Sequence, residues 1–335
     1  MTTIEYTAVR PLRHPEGAPA PGDFTFVTGA VPTLAPGQIL VRNLLLSVDP
    51  YHREFMEWGG WERGLGLEGR AVGRVVESRD PALPQGALVF HRHGWSTHAV
   101  LGAQDGRRLL VPADGVPLSA YLGVLGGTGL TAYVGLTRIA RLQPGEDLFV
   151  SSAAGGVGSA AGQIARVLGA GRIIGSTGSP AKAAHLTGRL GFDAGLDYRA
   201  GRLAEQLADA APTGIDVYFD NVGGDHLEAA IGALRQGGRI AWCGAVAQYN
   251  SLHSPPPAPR NLYAVVGKSL RLEGFLVREH MDARREFEDF LVPHVRSGRV
   301  IADETVTEGF ERVVEAFLAM LSGAGTGKAL VRVAE

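Results

Sequence analysis

The sequence predicts an α/β protein in two parts, a β-rich segment followed by a doubly wound parallel sheet. Three observations carry this. Up to roughly residue 125, short apolar runs are punctuated by Pro and Gly. After Gly123 the rhythm changes, and strand-like runs alternate with segments of helical periodicity. At one of these strand-to-helix junctions stands Ala153-x-Gly155-x-x-Gly158, between the apolar run Leu148–Val150 and a helical face of Ile164, Val167 and Leu168.

Taken in order, Gln38–Val48, Ala71–Ser78, Ala87–Phe90 and Leu109–Val111 read as strands of the first part. Thr128–Ile139 begins the helical pattern. Then come strand 147–152, helix 157–168, strand 172–176, helix 180–190, strand 195–198 and helix 201–211. Strand 215–219, helix 225–235 and strand 238–243 follow. Strands separated by helices require crossovers and hence a parallel sheet. After a Pro-rich loop, Ser254–Pro259, the pattern gives strand 269–276 and an amphipathic helix over Met281–Ser297. Ile301–Glu335 has strand, helix (Gly309–Ser322) and strand character, and is expected to fold back onto the first part.

A chain of 335 residues is comfortable for two domains, and 45% apolar residues allow a sizeable core. A net charge of −2 gives no reason to expect nucleic acid or an anionic membrane as partner. Cys243 is the single cysteine, which excludes an internal disulfide and a cysteine-based structural metal site. No signal-peptide pattern and no membrane-length apolar run occurs, so a soluble, cytoplasmic protein is expected.

The glycine turn reads as a dinucleotide fingerprint with alanine in its first place. Glycine at 155 lets the backbone approach a pyrophosphate, and glycine at 158 lets the helix pack closely on the strand. The helix N-terminus then offers N–H groups to the anion. An NAD site would carry an acidic residue about 20 positions further on. Here no carboxylate occurs between Asp147 and Asp193. The second strand runs instead into Thr177-Gly-Ser-Pro-Ala-Lys182, with Ser179 as N-cap and Pro180 at N1. Lys182 could neutralise a 2′-phosphate, which points to NADPH. It could also be a solvated first-turn lysine, though that position opposes the helix dipole.

Together these motifs resemble the zinc-independent medium-chain dehydrogenases/reductases, in the subgroup of prostaglandin reductases, leukotriene B4 12-hydroxydehydrogenases, alkenal double-bond reductases and curcumin-reductase-like enzymes. The residues that carry the resemblance are Leu46–Arg53 (LSVDPYHR), Gly126–Tyr133 (GGTGLTAY), Ser152–Gly158 (SAAGGVG), Phe219–Gly224 (FDNVGG) and Cys243–Asn250 (CGAVAQYN). The resemblance implies a GroES-like β-rich catalytic domain (1–125 and 299–335) and a Rossmann NADPH-binding domain (126–298). Zinc alcohol dehydrogenases hold a catalytic metal with Cys, His and Cys. In this chain Leu67 stands in the corresponding segment, the first-ligand region carries Ser47 and Asp49, and no second cysteine exists, so no metal is expected. The cluster His91, His93 and His98 reads as solvated surface rather than as a ligand set.

The resemblance further implies that Ala153, Ala154, Gly155, Gly156, Val157 and Gly158 hold the pyrophosphate, with Ser179, Lys182 and Tyr198 at the 2′-phosphate. Asn221, Cys243, Gly244, Ala245 and the backbone through Tyr249 would lie along the ribose and nicotinamide, and Phe275, Leu276 and Val277 beside the carboxamide. Tyr51 and Tyr249 would flank the substrate, Tyr249 as the hydrogen-bond donor to a carbonyl. The alternative reading of Tyr51 is that it simply caps the cleft, and Cys243 reads as a small buried residue rather than a nucleophile. Two departures stand out. Gly325 replaces an Asn that contacts the cofactor, and Gly127-Thr128 replaces the usual Met-Pro or Met-Thr, which could widen the cleft.

The implied chemistry is conjugate reduction of an α,β-unsaturated aldehyde or ketone, with the enolate stabilised as in an oxyanion hole and the α-carbon protonated by a tyrosine or water. Closure of the loop carrying Pro255–Pro259 would exclude water. Quinone reduction and a non-catalytic NADPH-binding role remain as alternatives, and a homodimer is the family expectation.

Overall fold

Short apolar runs cut by Gly and Pro cannot continue as helices, and in the first part of the chain they pair as antiparallel strands. The structure, a computed structural model, describes residues 4–15, 17–250, 254 and 257–333. By internal contacts the chain divides into two units. One is formed by the chain up to Leu122 together with Glu304–Gly325 and the residues from Ala329 onward; the other by Gly123–Asp303 and Thr326–Lys328.

In the first unit β1 (Glu5–Pro11) and β2 (Phe24–Ala30) form a two-stranded antiparallel sheet. β3 (Ile39–Ser47) is followed by a helix, α1 (His52–Trp58), and by a small hairpin of β4 (Glu62–Arg63) and β5 (Gly66–Leu67). β6 (Ala71–Ser78), β7 (Leu88–His91), β8 (His98–Leu101) and β9 (Arg108–Leu109) complete the N-terminal strands. β3 pairs with both β6 and β8, and β6 continues to β7 and β9. The apolar face closes on Phe24, Trp61, Trp95 and Phe317, whose rings meet at 4.8–6.2 Å.

The histidine cluster departs from the expectation of solvated surface. His91 and His93 are buried. The His91 Nδ1 accepts from the backbone N–H of His93 at 3.1 Å, which leaves its Nε2–H to donate to Asn43 Oδ1 at 2.9 Å. Arg63 Nε donates to His93 Nε2 at 2.8 Å. These rings serve as hydrogen-bonded packing between strands, and burial pushes the His91 pKa down to about 3.

The second unit alternates as the periodicity predicts. α2 (Gly127–Val134) leads to β10 (Leu148–Val150), α3 (Gly156–Val167), β11 (Ile173–Thr177) and α4 (Pro180–Arg189). Next come β12 (Ala194–Asp197), α5 (Leu203–Ala210), β13 (Ile215–Asp220), α6 (Gly224–Ala233) and β14 (Leu234–Trp242). A short α7 (Ala264–Gly267), β15 (Arg271–Gly274) and α8 (Arg284–Arg296) follow. The six strands lie in the order β12-β11-β10-β13-β14-β15, all parallel. Chain direction away from β10 therefore reverses between β10 and β13, the switch point where such sheets open a crevice at their carboxyl ends. β10 and β11 are buried throughout, which suits the apolar run Leu148–Val150 and the Ile173-Ile174 start of β11.

β15 is shorter than the expected 269–276, because Ser269 turns with a positive φ of 51°. α8 starts at Arg284 rather than Met281, behind a 3₁₀ segment over Val277–Ala283 that is kinked at His280. Beyond it, β16 (Glu304–Glu308), α9 (Val313–Leu321) and β17 (Lys328–Arg332) supply the expected strand, helix and strand. β17 pairs with β3, so the C-terminal segment joins the sheet of the first part. Pro255 and Pro256 of the Pro-rich loop lie outside the described residues, while Arg260 just after it is fixed to Glu228 at 2.7 Å.

Candidate cofactor and active site

The glycine turn leaves β10 through Ser151 and Ser152. Ser152 has φ 49°, the left-handed region where a non-glycine residue is strained. Ser151 is buried, donates to Asp220 Oδ1 at 3.1 Å and accepts from the Asn221 backbone N–H at 2.9 Å. The end of β10 is thereby tied to the end of β13. Ala153 and Ala154 are buried, and Gly155 is the N-cap of α3. A Cβ on Gly158 would fall 2.3 Å from the Ser152 carbonyl oxygen and 2.7 Å from Ala153 Cα, so only glycine allows α3 to sit this close. A Cβ on Gly155 would lie 3.1 Å from Ser152 Oγ and one on Gly156 3.1 Å from the Thr128 methyl. Val157 opens α3 beside them. Thr128 is buried, with its methyl group against the glycine turn.

The second strand leads to a compact cationic corner. Ser179 caps α4, its hydroxyl accepting from the Lys182 backbone N–H at 3.3 Å, with Pro180 at N1. A Cβ on Gly178 would lie 3.0 Å from the Tyr198 hydroxyl and 3.3 Å from Arg199 Nε. The Arg199 guanidinium also lies over the Tyr198 ring at 5.7 Å. Burial, and then the Arg199 charge, hold the Lys182 ammonium below its usual pKa. Two cations and a phenol gathered over capped backbone amides form a cradle that suits a phosphate dianion. The side-chain-free Gly178 keeps it open, so these residues fit a 2′-phosphorylated dinucleotide.

At the carboxyl ends of β13 and β14, the Asn221 side chain donates to the Ser151 carbonyl at 2.7 Å, and Cys243 Sγ–H donates to Asn221 Oδ1 at 3.0 Å. Burial, with Asp220 adding to it, pushes the Cys243 thiol far up, so it stays protonated and non-nucleophilic. The loop from Gly244 is strapped to β13 by the Gly244, Val246 and Ala247 amides, which donate to the Asp220, Asn221 and Val222 carbonyls. Ala245 ends this strap before a 3₁₀ turn that presents Tyr249. The half-buried Tyr249 turns back, with its hydroxyl 3.4 Å from where a Gly244 Cβ would be. Phe275 faces Phe219 at 6.4 Å, while Leu276 is exposed and Val277 opens the 3₁₀ segment. All of these belong to the second unit.

Two predicted residues belong to the first unit. A Cβ on Gly325 would lie 2.8 Å from Thr305 Oγ1, so Thr305 fills the space that a side chain at 325 would use. Tyr51 stands at the start of α1 with its hydroxyl 3.1 Å from Glu68 Oε2 and the Arg70 guanidinium 5.3 Å from its ring. Sequence reasoning passed over Ser151, Ser152, Arg199 and Glu68. Arg199 was legible as the second base beside Tyr198; the other three announce themselves only through contacts across the fold.

Residues 9–109 match a family described as the N-terminal domain of oxidoreductase, and residues 156–295 one described as zinc-binding dehydrogenase. The chain is 42% identical to prostaglandin reductase 1 of Mus musculus, over 96% of this chain and 97% of that protein. The chain belongs to the zinc-independent medium-chain dehydrogenases/reductases, in their enone reductase branch. As a member of that branch it is also 37% identical to the NADPH-dependent curcumin reductase of Escherichia coli, over 96% of this chain and 94% of that one. Among solved structures, CurA of Vibrio vulnificus in complex with NADPH superimposes with a TM-score of 0.90 at 32% identity, covering 98% of this chain and 99% of that one. The branch explains why a zinc-dehydrogenase pattern coexists with Leu67 and a single cysteine. Among the described residues, no group of three or more His, Cys, Asp or Glu is placed to hold a metal ion.

Proposed function

We propose that this protein reduces the C=C bond of α,β-unsaturated aldehydes and ketones with NADPH. The observation that carries the reading is the cationic corner of Ser179, Lys182, Tyr198 and Arg199 beside the glycine turn, in a chain of the enone reductase branch. The second unit is the NADPH-binding domain, with Ala153–Gly158 at the pyrophosphate and Asn221, Cys243–Tyr249 and Phe275–Val277 along the ribose and nicotinamide. The β-rich unit is the catalytic domain. When bound, NADPH supplies the hydride that saturates the β-carbon.

The chain's own residues do the rest. The loop strapped to β13 holds Tyr249 so that its hydroxyl donates a hydrogen bond to the substrate carbonyl, where negative charge grows during reduction. Conjugate reduction needs no Lewis acid on the carbonyl if such a donor is in place. Tyr51 delivers the proton taken up by the α-carbon. The test is NADPH and NADH consumption against enals, cyclic enones and quinones: faster turnover of quinones than of enones, or equal use of NADH, would overturn the assignment.

A homodimer in the cytoplasm completes the proposal. β15 is an edge strand, and near it Tyr263 and Val266 are 84% and 70% exposed, an apolar row suited to a second copy. Light scattering that gives the mass of one chain would refute it. Among the described residues no helix is long and apolar enough to cross a membrane.

A further inference from the structure

Glu68 is 4% exposed, yet nothing in the reaction described above uses it. Its carboxylate takes Arg92 Nε at 2.6 Å and the Tyr51 hydroxyl at 3.1 Å, and lies 3.7 Å from His52 Nε2. Around it stand Tyr51 and His52 from α1, Arg70 just before β6 and Arg92 just after β7. Arg70 also reaches Asp49 at 3.5 Å, and Asp49 accepts from the Ser47 hydroxyl. His52 is stacked on Trp61 at 5.4 Å. The cluster is therefore a packed ionic group beside Tyr51, with Arg92 43% exposed at its outer side.

We propose that Glu68 is a positioning residue that sets the direction of the Tyr51 hydroxyl, and so decides when Tyr51 can pass a proton outward. This rests on the enone reductase reading with Tyr51 as proton donor. An ionised carboxylate only accepts, so the Tyr51 O–H is spent on Glu68. A protonated Glu68 donates to the Tyr51 oxygen instead, and the phenol O–H turns away from it. In turnover the Tyr51 proton goes to the substrate α-carbon, the Glu68 O–H donates to the phenolate oxygen left behind, and that oxygen regains a proton from water. The β-carbon gains hydride as NADPH is oxidised to NADP⁺, so one hydride and one proton saturate one C=C bond. Burial supports this, lifting the Glu68 pKa above the ordinary carboxylate value against the pull of Arg92 and Arg70. Burial likewise lifts the Tyr51 phenol, which therefore holds its proton between turnovers.

The test uses the full chain with ¹³Cζ-labelled tyrosine. The Tyr51 resonance, assigned by its loss in Tyr51→Phe, is expected to shift as the pH passes upward through the Glu68 titration, above 4.5. Glu68→Gln, whose amide is a permanent donor, should abolish the shift, and Glu68→Asp should retain it. A stationary wild-type resonance, or the same shift in Glu68→Gln, overturns the proposal. With NADPH and an enone, wild-type kcat should fall about tenfold per pH unit above the Glu68 pKa. In Glu68→Gln, whose amide N–H donates at every pH, that limb should vanish; a retained limb in that variant overturns the positioning role. Absence of any enone turnover by the wild type would sink the enone reading alone, because the resonance arm decides the role of Glu68 without it.

Discussion

Lys182 owes its position to a local cap and its function to a distant neighbour. The Ser179 hydroxyl fixes the Lys182 backbone at the first turn of α4, while Tyr198 and Arg199 arrive from the far end of β12. A lysine there is disfavoured by the helix dipole and by Arg199, and an anion relieves both. Lys182→Ala should raise the KM for NADPH roughly 10–100-fold, the value of a charge-assisted hydrogen bond of about 1.5–3 kcal/mol, and leave the KM for NADH nearly unchanged. Steady-state kinetics with both nucleotides would show it, and equal losses for the two would refute the 2′-phosphate role. Tyr249→Phe removes one donor to a developing oxyanion, so kcat for an enone should drop about 10²–10³-fold while NADPH affinity measured by fluorescence holds. Ser179 and Lys182 could be named from a local cap and charge pattern, and Tyr198 and Tyr249 from the family resemblance. Glu68 could not, since its meaning lies in contacts with α1 and with the residues flanking β6 and β7.

At the scale of elements, the strand–turn–helix of β10 and α3 is held by close approach rather than by large side chains. Gly158 faces the Ser152 carbonyl, and Gly162 of the same helix faces Phe192, where an added Cβ would lie 2.1 Å from the ring. Gly158→Val forces α3 away from β10. It should cost about 1–3 kcal/mol, the usual penalty of overpacking, and move the first-turn amides off the phosphate position. A lower Tm together with lost NADPH binding is the expected pair of results; unchanged binding at a lower Tm would separate packing from phosphate recognition. In the second unit the alternation of the longer strands and helices was legible from periodicity, while the four-residue α7 was not. Element ends were less legible. Ser269 shortens β15 through a backbone turn that its residue type does not announce.

Across the whole molecule, buried neutral histidines set the response to acid. His226 on α6 has its ring 5.0 Å from Tyr198, and burial pushes its pKa down to about 4 from 6.5. His91 in the β-rich unit is pushed to about 3. The unfolded chain therefore binds more protons than the folded one below about pH 6.5, and stability falls as pH drops toward 4. Urea denaturation at several pH values should show this slope. His226→Phe, which keeps a ring against Tyr198, should make it shallower; an unchanged slope would mean that His226 is protonated without cost.

The sequence by itself determined the alternation of strands and helices, the glycine turn, the acid-free second strand and the absence of zinc-ligand residues at Leu67 and elsewhere. These are properties of short windows, where periodicity, caps and glycine sterics act over a few residues. Only the tertiary structure decided that His91 and His93 are buried packing, that Thr305 fills the space beside Gly325, that Arg199 joins Lys182, and that Glu68 holds Tyr51. Each of these depends on which distant segments are brought together and on whether the meeting place is shielded from water. Burial and long-range pairing then fix the charge and direction of a side chain that its local sequence leaves open.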